Sequence, residues 1–287
     1  MSLGIPRVLR TRDPGDPPRW ELARAHAHPR LRACVEGYAG YWERADAPLV
    51  RRELPVPKAV LIIDFGPPLH IVADDASFAA HAAGFVAGLS DRVTVTRHGG
   101  FSQGIQVDLT PIGAHRLTGV PARLLADAVV GLGDVFGSAG PSLTARLQEL
   151  PSWEARFDVL DTFLLARLER ARAVPRIVVA AHQRIVASHG AITVSELARE
   201  LGISRKHLIA GFHEHVGLAP KLFGQVVRFH GAIAHVLADG SHRDWARIAT
   251  AAGYYDQAHL IRDVRRFSGY TPGELVRHLL PDLGGFG

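Results

Sequence analysis

A chain of 287 residues, 47% hydrophobic and 21% charged, has the composition of a globular protein with one large domain or two ordinary ones. No apolar run approaches the ~20 residues of a membrane span, and the start lacks the apolar core of a secretion signal. The single cysteine, Cys34, excludes an internal disulfide and suits a reducing cytoplasm, and the net charge is a modest +5.

Residues 1–20 are rich in Arg, Pro, Asp and Gly, with Pro14, Pro17 and Pro18 opposing helix, and read as a flexible or extended arm. Residues 21–174 then read as a sensor or dimerisation domain. Leu31, Cys34, Val35, Tyr38 and Trp42 recur at three- to four-residue spacing, which predicts a helix from Pro29 to about Arg44. From 54 to 120 short β-prone runs (59–65, 69–72, 85–89, 92–96, 104–109) alternate with breakers at Gly66-Pro67-Pro68, Asp74-Asp75, Gly99-Gly100 and Pro111. That alternation predicts a small β-barrel or sandwich. Beyond Gly119-Val120-Pro121 the pattern turns helical, with helices expected over 142–150 and 153–173 and a domain boundary at Pro175. Tyr38, Trp42, Phe65, Phe85 and Phe101 are the aromatic side chains available either to line an effector pocket or to fill the core.

Chemistry-bearing patterns are sparse. His26-Ala27-His28 precedes the strands, and His70, His81 and His98 stand apart, so no metal site is expected. There is no G-x-S-x-G and no phosphate-binding glycine loop. Asp74-Asp75 and Asp158/Asp161 read as turn and helix-surface carboxylates. Neither enzyme activity nor a cofactor is expected.

The strongest signal is an internal repeat. Ala198, Gly202, Leu208, Phe212, Gly217 and Pro220 recur as Ala249, Gly253, Leu260, Val264, Gly269 and Pro272. The offset is 51 for the first two positions and 52 for the rest, so one extra residue follows Gly253. Each copy reads as a short helix, a glycine turn, an N-cap (Ser204, Asp256) and a second helix with an inward apolar pair. This is helix-turn-helix grammar, in which the second helix enters the DNA major groove. Residues 175–287 should therefore form an all-α domain of about seven helices, near 177–188, 194–201, 205–215, 219–238, 244–251, 257–268 and 272–280. The helix over 219–238, ~30 Å long at 1.5 Å per residue, is close to the ~34 Å separating successive grooves.

Residues 177–280 resemble the DNA-binding domain of the AraC/XylS family of bacterial transcription regulators. The resemblance rests on Ser195-Glu196-Leu197-Ala198, Gly202-Ile203-Ser204, Leu208 with Phe212, and Gly217-Leu218-Ala219-Pro220. In the second half it rests on Ile248-Ala249, Ala252-Gly253-Tyr254, Asp256-Gln257, Arg262 and Phe267-Ser268-Gly269-Tyr270-Thr271-Pro272. It implies an α+β chain whose first half is a cupin-like barrel that senses a small molecule or pairs two subunits into a homodimer. It also implies double-stranded DNA as partner, with RNA polymerase contacted in activation. The family's base-facing positions fall on Ser204, Arg205, Lys206, Ile209 and Ala210, and on Asp256, Gln257, Ala258, Ile261 and Arg262. Arg262 suits guanine and Gln257 adenine, Lys206 suits guanine or phosphate, and Ile209, Ala210 and Ala258 offer apolar contact. Family members commonly carry a polar residue near Ile209-Ala210, so the first unit is expected to discriminate sequence weakly. Arg243, Arg265 and Arg266 are placed to meet phosphates, and residues 176–287 hold 13 Lys+Arg against 9 Asp+Glu. The competing expectation is a protein-interaction co-regulator that keeps the fold without sequence-specific DNA binding. A DNA-tailed alkyl-transfer enzyme is unsupported, because Cys34 lacks any flanking motif for it.

Overall fold

The computed structural model describes residues 7–73, 77–80, 83–238, 244–278 and 285–286. The strands are β1 (Val8–Arg12), β2 (Trp20–Ala25), β3 (Val35–Arg44), β4 (Leu49–Glu53), β5 (Ala59–Asp64), β6 (His70–Ala73), β7 (Ser77–Ala80), β8 (Gly84–Ala87), β9 (Thr94–His98), β10 (Phe101–Leu109), β11 (Val129–Gly131) and β12 (Gly285–Phe286). The helices of the first half are α1 (Pro111–Thr118), α2 (Ala122–Leu125), α3 (Leu132–Phe136), α4 (Ala139–Glu149) and α5 (Trp153–Glu169). Seven more follow: α6 (Arg176–Ala187), α7 (Val194–Glu200), α8 (Arg205–Val216), α9 (Pro220–Ala238), α10 (Trp245–Ala251), α11 (Gln257–Ser268) and α12 (Pro272–His278).

The chain is α+β, as its sequence predicts, but the strands among the described residues do not close into a barrel. They form two antiparallel sheets, ordered β1-β2-β3-β10-β5-β8-β11 and β12-β4-β9-β6-β7. Cross-strand register sorts the larger sheet into two faces. Tyr38, Ile105, Val107, Leu61, Ile63 and Val86 belong to the main core that α1 and α5 cover. On the opposite face Ile62 and Phe85 join Ile71 of the second sheet in a small separate cluster.

Two expectations for the first half are corrected. Residues 35–44, expected as helix, are β3. Leu109 pairs with Val35 but Asp108 with Gly37, a bulge that places Glu36 outside the ladder. The extra residue turns Val35 onto the same face as Tyr38, three positions on, so a strand acquires helix-like spacing. Residues 8–12, expected as a flexible arm, pair along their length with 21–25. Arg10 grips both oxygens of Glu154 at 2.8 and 2.7 Å, and Arg7 pairs with Asp158 and Asp161, which pins the segment onto α5. Helix α1 starts at the predicted break Pro111, because Pro is well suited to a first helical turn and the Thr110 hydroxyl accepts from Gly113 N at 2.9 Å. The expected breaker Asp74-Asp75 and His81 lie outside the described residues.

The seven helices of the second half agree with those read from the sequence to within two residues, and 279–280, expected in the last, lie outside the described residues. Local chemistry sets their starts. Thr193 and Glu196 form a reciprocal capping box, Ser204 accepts from His207 N at 3.2 Å, and Asp256 accepts from His259 N at 2.7 Å. Helix α9, 19 residues and ~28 Å long, gives a phenylalanine to each unit. Phe223 packs on Phe212 with ring centroids 5.6 Å apart, and Phe229 packs on Phe267 at 5.1 Å.

Gly224 reads in sequence only as a loss of helix propensity, yet it is where α9 touches the turn after α6. A Cβ on Gly190, whose φ is +74°, would stand 2.0 Å from the Gly224 carbonyl oxygen. Gly231, by contrast, faces open space. Gly190→Ala should therefore destabilise by more than about 1–2 kcal/mol, whereas Gly231→Ala should stabilise by about 0.4–1 kcal/mol. Urea unfolding of the two variants checks both signs.

Candidate nucleic-acid interface

Helix α8 buries Leu208, Phe212 and Val216. Its opposite side carries Arg205, Lys206, Ile209 and Ala210, all exposed, preceded by the exposed N-cap Ser204. Helix α11 buries Leu260, Asp263, Val264 and Phe267. Asp256, Gln257, Ala258 and Arg262 are exposed, and Ile261 is half-covered. Each unit thus presents a solvated helix face at its N-terminal end, where donors and acceptors can reach base edges.

The three arginines expected on phosphates fare differently. Arg265 is exposed. Arg266 is engaged elsewhere: it bonds Asp91 of the first half at 2.9 Å and Gln225 of α9 at 3.3 Å. Arg243 lies outside the described residues.

The first half meets the C-terminal ends of the reading helices. Helix α8 packs on α1 and α2, Arg123 pairs with Glu214 at 2.7 Å, and the His115 and His215 rings stand edge to face at 4.8 Å. Burial, then His115, lowers the His215 pKa.

Inside the first unit His182 is packed on Phe223, ring centroids 5.2 Å apart. Burial pushes its pKa down to about 4. Its ring is therefore neutral at any physiological pH and belongs to the core.

The five aromatic residues proposed for an effector do not converge. Tyr38 is buried, stacks on Phe157 and donates to Asp161 at 2.7 Å. Trp42 lines an open cavity of about 280 Å³ with Glu21, Gln103 and Arg156. Phe65 lies under Arg156 at 5.2 Å, Phe101 under Arg44 at 5.8 Å, and Phe85 sits on the other face of the sheet. Sequence reasoning passed over a polar group on that other face. Glu43 pairs with His98 at 2.8 Å and with Arg51 at 2.6 Å, and in register beside it lie Ser102, Tyr41 and Asp64. Burial raises the Glu43 carboxyl, but His98 and Arg51 outweigh it and hold it below the usual range. Burial raises Asp64 despite the Gly66 and Leu69 amides that bond it. The available signal was alternation: Tyr41 and Glu43 occupy every second position of β3, which a helical reading scrambles.

Sequence reasoning also passed over Tyr255. It is the extra residue in the second copy of the repeat, between buried Tyr254 and the N-cap Asp256, and it is 91% exposed.

Residues 197–278 match the sequence family described as "Helix-turn-helix domain". The helix-turn-helix domain thus comprises α7 to α12, with α6 packed on its first unit. No curated protein matches the chain. Among solved structures it is similar to ToxT from Vibrio cholerae, with 9% identity over 84% of this chain and 97% of that one and a TM-score of 0.47. It is also similar to the C-terminal domain of AraT, a response regulator from Geobacillus stearothermophilus (21%, 37% and 88%, TM-score 0.34). The AraC-like transcriptional activator CuxR is a further neighbour (14%, 82% and 87%, TM-score 0.32).

His182 makes the domain's stability depend on pH. Its pKa is about 4 when folded against 6.5 as a free side chain, so the unfolded chain binds more protons between those values and stability rises with pH there. Stability should fall as pH drops from 6.5 towards 4, and His182→Leu should flatten part of that slope. Denaturation midpoints across the window measure it.

Proposed function

We propose that this protein is a bacterial one-component transcription regulator that binds promoter DNA through both helix-turn-helix units. The observation that carries this reading is the pair of solvated N-terminal helix faces, Ser204 to Ala210 and Asp256 to Arg262, on units that share the single rod α9. In the second unit Arg262 reads guanine bidentately and Gln257 reads adenine. In the first, Lys206 and Arg205 supply charge, while Ile209 and Ala210 contribute apolar contact. Arg265 adds a phosphate contact.

The first half supplies control, by a small-molecule effector or by pairing subunits. The polar set of Tyr41, Glu43, Arg51, Asp64, His98 and Ser102, the last three buried, is better suited to a polar effector than the five scattered aromatics. RNA polymerase is the partner expected of an activator. No helix among the described residues is long and apolar enough to cross a membrane, and the protein works in the cytoplasm beside the chromosome. We find no support for catalysis.

A second reading draws on Ile209, which is 42% exposed on the face expected to read DNA. An apolar residue there also suits a protein partner, as in a co-regulator with weak DNA binding.

Selection of bound fragments from genomic DNA decides between them, because a co-regulator enriches no sequence. On the recovered site Arg262→Ala should cost about 1–3 kcal/mol and relax one base position. An equal loss on random DNA would show that Arg262 meets only the backbone.

A further inference from the structure

The two reading units are joined by a side chain as well as by the helix they share. Arg228 lies one turn beyond Gly224 on the same face of α9. Its Nη1 donates to the Gly190 carbonyl at 2.6 Å, in the turn that leads from α6 into the first unit. Its guanidinium carbon stands 5.7 Å from the ring centroid of Tyr254, in the hinge turn of the second unit. The hinge itself closes around the same stem: a Cβ on Gly253 would meet Arg228 Cδ at 3.9 Å and the His189 carbonyl at 4.0 Å. The Nε of Arg228 is buried without a hydrogen-bond partner, so its guanidinium is held through Nη1 on one turn and through its face on the other.

We infer that Arg228 is a positioning residue that fixes the second reading helix relative to the first. Each unit has its own phenylalanine contact with α9, Phe212–Phe223 and Phe229–Phe267. Apolar contacts of this kind hold a unit to the rod by area, with no bond of fixed direction between the two units. A charge-assisted hydrogen bond and a cation–π contact do have direction, and a planar guanidinium can make both at once. Lysine offers one point charge and cannot span both turns. Tyr254 leads within two residues to the N-cap of α11, so the contact sets where that helix points.

The inference rests on the DNA-reading proposal for its consequence but not for its geometry, and the test separates the two. Nitroxide labels on the exposed positions Ala210 and Ala258, in a Cys34→Ser background, report the distance between the reading helices without DNA. A narrow distribution is expected for the unaltered chain, and a broadened or shifted one for Arg228→Ala and Arg228→Lys. An unchanged distribution in both variants overturns the inference, whatever the protein binds. The second measurement uses a duplex recovered by the unaltered protein, its footprinted half-sites, and versions with one base pair added or removed between them. Arg228→Ala should bind the native spacing about tenfold more weakly, lose most of the preference over the altered spacings, and bind an isolated half-site as before. Equal weakening on every duplex, half-site included, would make Arg228 a structural residue only and overturn the positioning role. If no duplex is recovered at all, the regulator reading fails while the label distances still decide the geometry.

Discussion

The second half of this protein depends on how closely the backbone of α9 approaches the turn after α6. Gly190 and Gly224 bring two main chains together with no side chain between them, and that contact fixes where the rod crosses the first unit. Everything distal follows from it. One turn along the rod Arg228 reaches back to the Gly190 carbonyl, and the next residue, Phe229, packs on Phe267 of the second unit. A side chain on Gly190 would push the rod outward and move the second unit with it, because a packed interior transmits displacement rather than absorbing it.

The first half grips the far ends of both reading helices and leaves their near ends open. Glu214 and His215 at the end of α8, and Arg266 at the end of α11, are all held by residues of the first half. The proposed control of DNA binding therefore has a continuous mechanical route. Strand β10 carries Ser102 in the polar layer between the sheets and ends at Leu109, next to Thr110, which caps α1, and α1 packs on α8. Arg266 adds an electrostatic element to that route. A guanidinium paired with Asp91 is unavailable to a phosphate, so under the proposed DNA-binding role the first half would compete with the DNA backbone for this cation.

The second half was almost fully legible because its rules are local. N-caps, glycine turns and inward apolar pairs all act within a few residues, and their repetition identified them even without a partner sequence. The first half was less legible because its decisive features are not local. The β3 bulge depends on a register with β10, some seventy residues away, and it disguises a strand as a helix. The pairing of residues 8–12 depends on 21–25 and on carboxylates of α5, neither of which shows in an Arg- and Pro-rich run. The same holds inside the well-read half. Arg228 looks like one more charge on an amphipathic helix until the turns at Gly190 and Tyr254, more than sixty residues apart in the chain, are seen on either side of it.

The two units share a scaffold but carry very different exposed surfaces. The second has Gln257 and Arg262 facing out, with Tyr255 standing clear of the fold beside them; the first has Ile209 and Ala210 where the second places Ile261 and Arg262. Under the proposed DNA-reading role, a bidentate arginine would discriminate by about 1–3 kcal/mol and an apolar contact by much less, so the first unit alone would select little. Its contribution grows when the second is already seated, because a fixed separation turns its encounter with DNA into an intramolecular event at high effective concentration. That gain requires a span that matches the groove repeat and does not fluctuate, which a flexible linker of the same length does not provide. A weak reader is therefore worth retaining only on a stiff support, and the glycine contact and the arginine bridge are what stiffen this one.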